Sequence, residues 1–323
     1  MTALIPEAAR RLHAGDLVAF PTETVYGLGA DAANPEAVAK IFALKGRPAN
    51  HPLIVHFADP LAVAQWARDV PPSAMTLATR FWPGPLTIIL RKAPRVPGAV
   101  TGGQDTVGLR CPSHPVALDL LREFARIGSG AVAAPSANRF GHVSPTTVQH
   151  VREEFGGDLM VLDGGACEVG LESTIVDLSR GAPVLLRPGA ITRRDIETVL
   201  GVAPAERDAA APRASGTLDA HYAPRTALVL ADAASIAAQA GEAGIAVLAL
   251  REKPAGAKAA AWIAVPADPI RYGHELYANL RTLDRSGARR ILVEAPPPLA
   301  AWEAVNDRLK RAAAGTAALD DEP

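Results

Sequence analysis

The stretch Pro21-Thr-Glu-Thr-Val-Tyr-Gly-Leu-Gly29 sets two hydroxyls, a carboxylate and a phenol directly behind an apolar run, Asp16-Leu-Val-Ala-Phe20. That run reads as a short buried strand, which Pro21 ends by removing a ladder donor. Four further runs close in the same way. Ser129–Ala134 breaks into Pro135-Ser-Ala-Asn138, and Val107-Gly-Leu109 leads into Arg110-Cys-Pro112. Val161-Leu-Asp-Gly-Gly165 and Val184-Leu-Leu-Arg-Pro-Gly189 end on glycine and a functional group. Ligands of open α/β sheets bind outside the carboxyl ends of strands, so these ends together predict a composite pocket. Taken alone, the first stretch reads equally well as a polar turn in which Gly27 and Gly29 supply special backbone angles. The groups gathered are hydroxyls, guanidinium groups and Lys45, with no evident nucleophile. Such a set suits chemistry on phosphates done by positioning and charge stabilisation, without a covalent intermediate.

Familiar catalytic arrangements are missing from the sequence. It has no GxxxxGK[ST] loop, no HExxH and no GxSxG around Ser136 or Ser173. His150-Val-Arg-Glu-Glu154 lacks a second histidine and reads as a solvated helix face. Asn34-Pro35-Glu36 is an N-cap with proline in the first turn, and its helix runs to about Leu44 before Gly46. Lys45 and Arg47 therefore straddle the helix end and, two apart in extended chain, point the same way. Complementing the helix dipole, worth roughly 0.3–1 kcal/mol per cation, accounts for Lys45 better than for Arg47, which lies beyond the glycine. Both are expected to be partly exposed cations facing phosphate. Ser144-Pro-Thr-Thr147 is expected to open a helix with Ser144 as N-cap, an end that can cap itself or bind a phosphate. Thr192-Arg-Arg-Asp195 reads as a capping box without function.

At 323 residues the chain is long enough for two domains. Hydrophobic residues make up 49% and charged residues 21%, which argues against bulk disorder. The net charge of −1 offers no overall field for nucleic acid or an anionic membrane, so phosphate chemistry must come from local clusters. Cys111 and Cys167 form no CxxC pair, lack metal-ligand spacing and read as buried thiols of a reducing compartment. No signal peptide or membrane span is legible, and the expected location is cytoplasmic. The Ala-, Pro- and charge-rich segment from Pro204 to Gly216 has no hydrophobic period. The expected organisation is thus a catalytic domain over 1–205, a linker over 206–225 and a smaller alternating α/β domain over 226–323. That second domain lacks a Gly-rich phosphate fingerprint and is expected to be a Rossmann-like scaffold without its own nucleotide.

Seven motifs occur in order: Pro21–Gly29, Lys45-Gly-Arg-Pro48 with Pro52-Leu53 and His56, Trp82-Pro-Gly-Pro-Leu-Thr87, Thr106-Val-Gly-Leu-Arg110, Pro135–Asn138, Leu171-Glu-Ser-Thr174 and Arg187-Pro-Gly189. Together they closely resemble the YrdC-like threonylcarbamoyl-adenylate synthases, over about residues 5–200. His221-Tyr-Ala-Pro224 and the later Leu276-Tyr277, Leu280-Arg281 and Leu283-Asp284 are similar to the longer, two-domain branch. The resemblance implies a twisted open mixed sheet flanked by helices, followed by the Rossmann-like domain. It also implies a reaction of L-threonine, bicarbonate or CO2, and ATP, giving threonylcarbamoyl-AMP and pyrophosphate. The adenylate would pass to a downstream tRNA threonylcarbamoyltransferase. Carried onto matching positions, Thr24, His56, Arg110, Ala134 and Ser173 would surround threonine, with Arg110 on its carboxylate. Arg47, His51, Thr106, Ser136, Ser144, Arg187 and Tyr222 would hold ATP. Lys45, Arg47, Ser136 and Asn138 would form the catalytic Lys-x-Arg and Ser-x-Asn pairs. Mg2+ would ride on the triphosphate, with no dedicated protein metal site.

Position 51 departs from the family, which more often has Asn there, and an imidazole brings a charge that varies with pH near neutrality. The linker, Ala214-Ser-Gly-Thr-Leu-Asp-Ala-His221, also lacks the family's usual Pro-Gly-Met character. It is nonetheless expected to close over the site as a lid. Two rival readings are a carbamoyl-phosphate-dependent adenylate step, as in related hydrogenase-maturation domains, and a non-catalytic double-stranded RNA-binding or ribosome-assembly protein. Those maturation proteins carry acylphosphatase and zinc-finger segments absent here, and the net charge disfavours more than a weak RNA contact.

Overall fold

The computed structural model describes residues 4–320. Its Cα packing separates two units. One holds the residues up to Phe140 together with Pro145–Thr217, and the other holds Gly141–Ser144 and the chain from Leu218 onward.

The first unit is built on a nine-stranded sheet of β1 (Val18–Phe20), β2 (Gly27–Asp31), β3 (Ile54–His56), β4 (Leu86–Arg91), β5 (Thr106–Arg110), β6 (Val132–Ala133), β7 (Met160–Val161), β8 (Thr174–Asp177) and β9 (Val184–Arg187). Their spatial order is β7-β1-β2-β6-β3-β5-β4-β8-β9. The sheet is mixed: β1–β7, β3–β5 and β4–β8 are parallel and the other pairs antiparallel. The helices of this unit are α1 (Ile5–His13), α2 (Pro35–Lys45), α3 (Val63–Trp66), α4 (Pro72–Phe81), α5 (Gly98–Thr101), α6 (Pro115–Ile127), α7 (Val148–Phe155) and α8 (Arg193–Leu200).

Alternation along the strands decides which side chains reach the site. Val55, Ile88, Leu90, Val107, Leu109 and Val176 point into the main core with Ile41, Trp66 and Leu77. Their neighbours Ile54, His56, Thr87, Ile89, Thr106, Gly108, Arg110 and Ile175 must therefore look to the opposite face. Part of that face is covered by α1 and α6, whose Leu12, Leu120, Leu121 and Phe124 pack on Val18, Phe20 and Val132. Elsewhere Ala211 and Ala214, from the segment read as a linker, pack on Ile54, Ile89, Ile175, Val184 and Leu186.

Local signals resolve in different ways. Asn34 caps α2 by accepting from Glu36 N and Ala37 N, and Gly46 ends it at φ +64°. Thr192 and Asp195 form the expected capping box. Ser144 does not cap a helix. α7 begins later, after Thr147, which is itself extended and whose side chain accepts from His150 N. Gly27 and Gly29 are strand residues of β2, not turn residues. Gly29 is required by crowding: a Cβ there would stand 2.7 Å from Val132 Cγ1 and 2.8 Å from Phe20 Cε1. The run Ser129–Ala134 contributes only the two-residue β6.

The second unit carries four parallel strands, β10 (Ala227–Ala231), β11 (Ile245–Ala249), β12 (Ala261–Ala264) and β13 (Arg290–Glu294), in the order β10-β13-β11-β12. They alternate with α9 (Ala233–Gln239), α10 (Pro269–Asp284) and α11 (Glu303–Asp320). Among the described residues no helix is long and apolar enough to cross a membrane.

Candidate active site

Three clusters form at the strand ends of the first unit. In the first, Lys45 at the end of α2 is buried and donates from Nζ to Ser136 O at 2.6 Å and to Asn138 O. Ser136 follows β6 and bridges Gly27, which anchors the Pro135–Asn138 loop against the start of β2. Burial, reinforced by Arg47, pulls the Lys45 ammonium well below the ordinary lysine range, while Glu154 acts in the other direction. A polyphosphate placed here would restore the charged form. Lys45 and Arg47 are thus buried, at 3% and 9% exposure, and not the partly exposed cations expected from the sequence. The Pro135–Asn138 loop folds back over the helix end and covers the lysine.

The second cluster is a chain of side chains. Arg47 Nη2 donates to Pro52 O at 2.9 Å and to Ser215 Oγ at 3.4 Å. Arg187, at the end of β9, donates from Nη1 to Ser215 O at 2.8 Å. Its Nε and Nη2 reach Ser173 O at 3.0 and 2.8 Å, and Nη2 also reaches Ser173 Oγ at 3.2 Å. Ser173 Oγ in turn pairs with Thr87 Oγ1 at 2.7 Å. Ser215 therefore joins Arg47 to Arg187, and Arg187 extends the chain to Ser173.

In the third cluster, Arg110 closes β5 and lies in register with His56 of β3. Arg110 Nη2 stands 2.7 Å from Glu23 Oε1, both side chains being buried. Glu23 Oε2 accepts from Ser113 N at 3.2 Å. Beside it Thr22 Oγ1 pairs with Thr24 Oγ1 at 2.8 Å and accepts from Val25 N at 3.2 Å, which fixes the loop after β1. His56 Nδ1 pairs with Ile54 O at 3.0 Å. Burial, with Arg110 close by, holds its pKa down to about 3, so His56 is a neutral imidazole whose Nδ1–H donates to that carbonyl. Ala134 N donates to the same Ile54 carbonyl at 2.9 Å.

A solvent-open space of about 270 Å³ lies on this face, lined by Ile54, Thr87, Thr106 and Gly108 of the sheet and by Arg213, Ala214 and Ser215. Arg213 N donates to Gln104 Oε1 at 2.7 Å, Gln104 Nε2 returns to Arg213 O at 3.1 Å, and Ser215 Oγ donates to Pro52 O at 2.8 Å. Each such bond is worth roughly 0.5–1.5 kcal/mol net, and each alanine methyl buries about 0.8 kcal/mol. The segment is docked, but far more weakly than a core strand.

His51 packs edge-on against Phe140, with ring centroids 5.3 Å apart. Partial burial, then Arg47 and Arg213, lower its pKa, which moves its titration away from the neutrality expected from the sequence. Tyr26 is structural: its hydroxyl donates to Gly165 O at 2.8 Å and so ties two strand ends together. Burial pushes Cys111 and Cys167 up to about 12, with Glu23 adding to it, so neither thiol is a ready nucleophile. Ser144 and Tyr222 fall in the second unit. There Tyr222 is buried at φ +62°, stacked on Tyr277 at 5.7 Å and under the Arg308 guanidinium at 5.3 Å. Among the described residues no group of three or more His, Cys, Asp or Glu could hold a metal ion.

Sequence reasoning missed Glu23, Thr87 and Ser215 as members of these clusters. The alternation of β4 and the position of Glu23 behind β1 were available signals. Ser215 had none.

Buried cations and hydroxyls at the strand ends of a mixed sheet define a phosphate-handling α/β protein. A family profile described as telomere recombination matches residues 10–189, and one described as the threonylcarbamoyl-AMP synthase C-terminal domain matches 191–314. The threonylcarbamoyl-AMP synthase of Pyrococcus abyssi is 39% identical, covering 94% of this chain and 92% of its own. That of Bacillus subtilis is 39% identical over 96% and 93%. The crystal structure of P. abyssi Sua5 complexed with L-threonine superposes with a TM-score of 0.89 at 36% identity, covering 98% of this chain and 96% of the other. The chain belongs to the Sua5/YrdC family of threonylcarbamoyl-AMP synthases, in its two-domain form.

Proposed function

We propose that this chain makes threonylcarbamoyl-AMP and pyrophosphate from L-threonine, bicarbonate or CO2, and ATP, to supply a tRNA threonylcarbamoyltransferase. The observation that carries this reading is Arg110, a buried guanidinium at a strand end. Its Nε and Nη2 have no hydrogen-bond acceptor among the described residues, although Glu23 lies within ion-pair distance. A substrate carboxylate satisfies such donors in bidentate fashion. Thr24, His56, Ala134 and Ser173 complete the threonine site, with neutral His56 unable to compete with Arg110 for the carboxylate. ATP takes Arg47, His51, Thr106, Ser136 and Arg187, and Mg2+ arrives with the triphosphate as part of the substrate. The threonine amine becomes a carbamate, one carbamate oxygen attacks the α-phosphorus, and pyrophosphate leaves. Lys45, Arg47, Ser136 and Asn138 hold the phosphates and offset the charge that develops there. The relatives' shared name and the Arg110 geometry both favour catalysis over a non-catalytic RNA-binding role.

The test is pyrophosphate release with ATP and bicarbonate. It should depend on L-threonine, with L-serine poorer by only about 10- to 100-fold, because one methyl in an apolar niche discriminates by about 1–3 kcal/mol. Equal turnover with carbamoyl phosphate in place of bicarbonate and threonine would remove the assignment.

The segment over 206–225 acts in this reading as a lid, since a mixed anhydride must be kept from water. Its weak docking through Ala211, Ala214 and Ser215 suits repeated opening. A chain ending at residue 205 should form less adenylate and release more AMP. Full activity with unchanged AMP release would show that no lid is needed.

A further inference from the structure

Glu23 is not among the residues assigned to threonine above. The chemistry of its surroundings gives it a place there. Its carboxylate is 3% exposed, and Oε1 lies 2.7 Å from Arg110 Nη2. Oε2 is occupied by Ser113 N. Oε1 accepts no hydrogen bond among the described residues, and Arg110 Nε and Nη2 donate none. The 2.7 Å separation is thus an ion pair in which the two charges offset each other, while Glu23 Oε1 accepts and Arg110 Nε and Nη2 donate no aligned hydrogen bond among the described residues. Leaving such groups unsatisfied is costly, and native proteins do so chiefly where a ligand or water completes them. A single water offers both signs weakly. An α-amino acid zwitterion offers both at full charge, on adjacent atoms: a carboxylate for the guanidinium and an ammonium for the carboxylate.

We propose that Glu23 receives the α-ammonium of the amino-acid substrate, so that Glu23 and Arg110 together form a zwitterion receptor. The backbone supports this placement. Thr22 Oγ1 accepts from Thr24 N and Val25 N at 3.2 Å and donates to Val25 O at 2.6 Å, which locks the loop carrying Glu23. Val169 N donates to Glu23 O at 2.7 Å and holds the same residue from the other side. Cys111 and Cys167, the thiols nearest its charge, stay protonated and offer no competing anion. The pairing selects free α-amino acids over hydroxy acids of the same shape, a discrimination that neither His56 nor Ser173 provides.

This inference rests on Arg110 holding the carboxylate, and the experiment separates the two. Binding of L-threonine and of (R)-3-hydroxybutanoate, which keeps the carboxylate and the hydroxyl but lacks the amine, is measured calorimetrically on the full chain, on Glu23→Gln and on Glu23→Asp. The parent should prefer threonine strongly. Glu23→Gln should lose about 10- to 100-fold in the preference for threonine over the hydroxy acid, whose own affinity holds or rises because Arg110 loses a competing anion. Glu23→Asp, which keeps the charge, should restore part of the preference. If Glu23 only positions Arg110, Glu23→Gln weakens both ligands by the same factor and the proposal falls. If Arg110→Lys leaves both affinities unchanged, the carboxylate assignment fails and takes the receptor with it.

Discussion

Lys45→Met is expected to lower the rate of adenylate formation by about 10²- to 10³-fold, the usual loss when one aligned charge is taken from a developing anion. The substitution keeps the apolar stem inside its buried slot and removes only the ammonium. Because Nζ donates to the carbonyls of Ser136 and Asn138, its loss leaves two acceptors without that donor and should also lower stability by about 1–3 kcal/mol. The two effects are separable. Threonine affinity, read by calorimetry, should stay at the parent level, since Lys45 belongs to the cluster around Ser136 and not to that around Arg110. Arg47→Ala should weaken ATP use in the same direction, and it also removes the contact to Ser215 that helps dock the covering segment. If Lys45→Met stays folded and forms adenylate at the parent rate, its role is confined to holding the Pro135–Asn138 loop.

Arg110→Lys should raise the threonine KM about 10- to 100-fold and leave the ATP KM unchanged. Lysine preserves the charge beside Glu23 but cannot offer two parallel N–H groups to a carboxylate. The alanine variant is less informative, because removing one partner of a buried ion pair costs about 3–5 kcal/mol by leaving the other charge uncompensated. Arg110 and Glu23 are both almost fully buried, so that penalty applies here. A uniform fall in rate at all threonine concentrations, with an unchanged KM, would contradict the carboxylate clamp.

Much of the arrangement was legible because local chemistry and tertiary packing agree. Asn34 and Pro35 start a helix, Gly46 stops it, and Lys45 must then lie at its end. Alternation sorts the side chains within each of β3, β4 and β5, but only the register that pairs His56 with Arg110 and Ile88 with Leu109 puts His56, Thr87 and Arg110 on one face. Other features depend on partners distant in sequence. The exposure of Lys45 could not be read locally, since the chain that buries it lies about ninety residues away. Gly27 and Gly29 looked like turn residues because glycine signals either a special backbone angle or a close approach, and only the position of Val132 decides for the latter. Ser144 carried a capping signature, yet the helix starts at Val148 with Thr147 as its cap, since Thr147 offers the same kind of hydroxyl and accepts from His150 N. The segment around Ala211–Ser215 looked like a tether because alanines show no hydrophobic period. It docks because β3, β4, β8 and β9 leave isoleucine, valine and leucine side chains in need of cover. Glu23 was visible as one polar residue among several, and only its separation from Arg110 singles it out.

In the proposed reaction carbon from bicarbonate and the nitrogen of threonine end up in the same adenylate. The direct measurement supplies labelled bicarbonate, differently labelled L-threonine and α-phosphate-labelled ATP, and separates the products chromatographically. A single species should carry all three labels in equal amounts, with one pyrophosphate formed for each. An AMP-linked product that forms without threonine, or one that excludes the bicarbonate label, would contradict it.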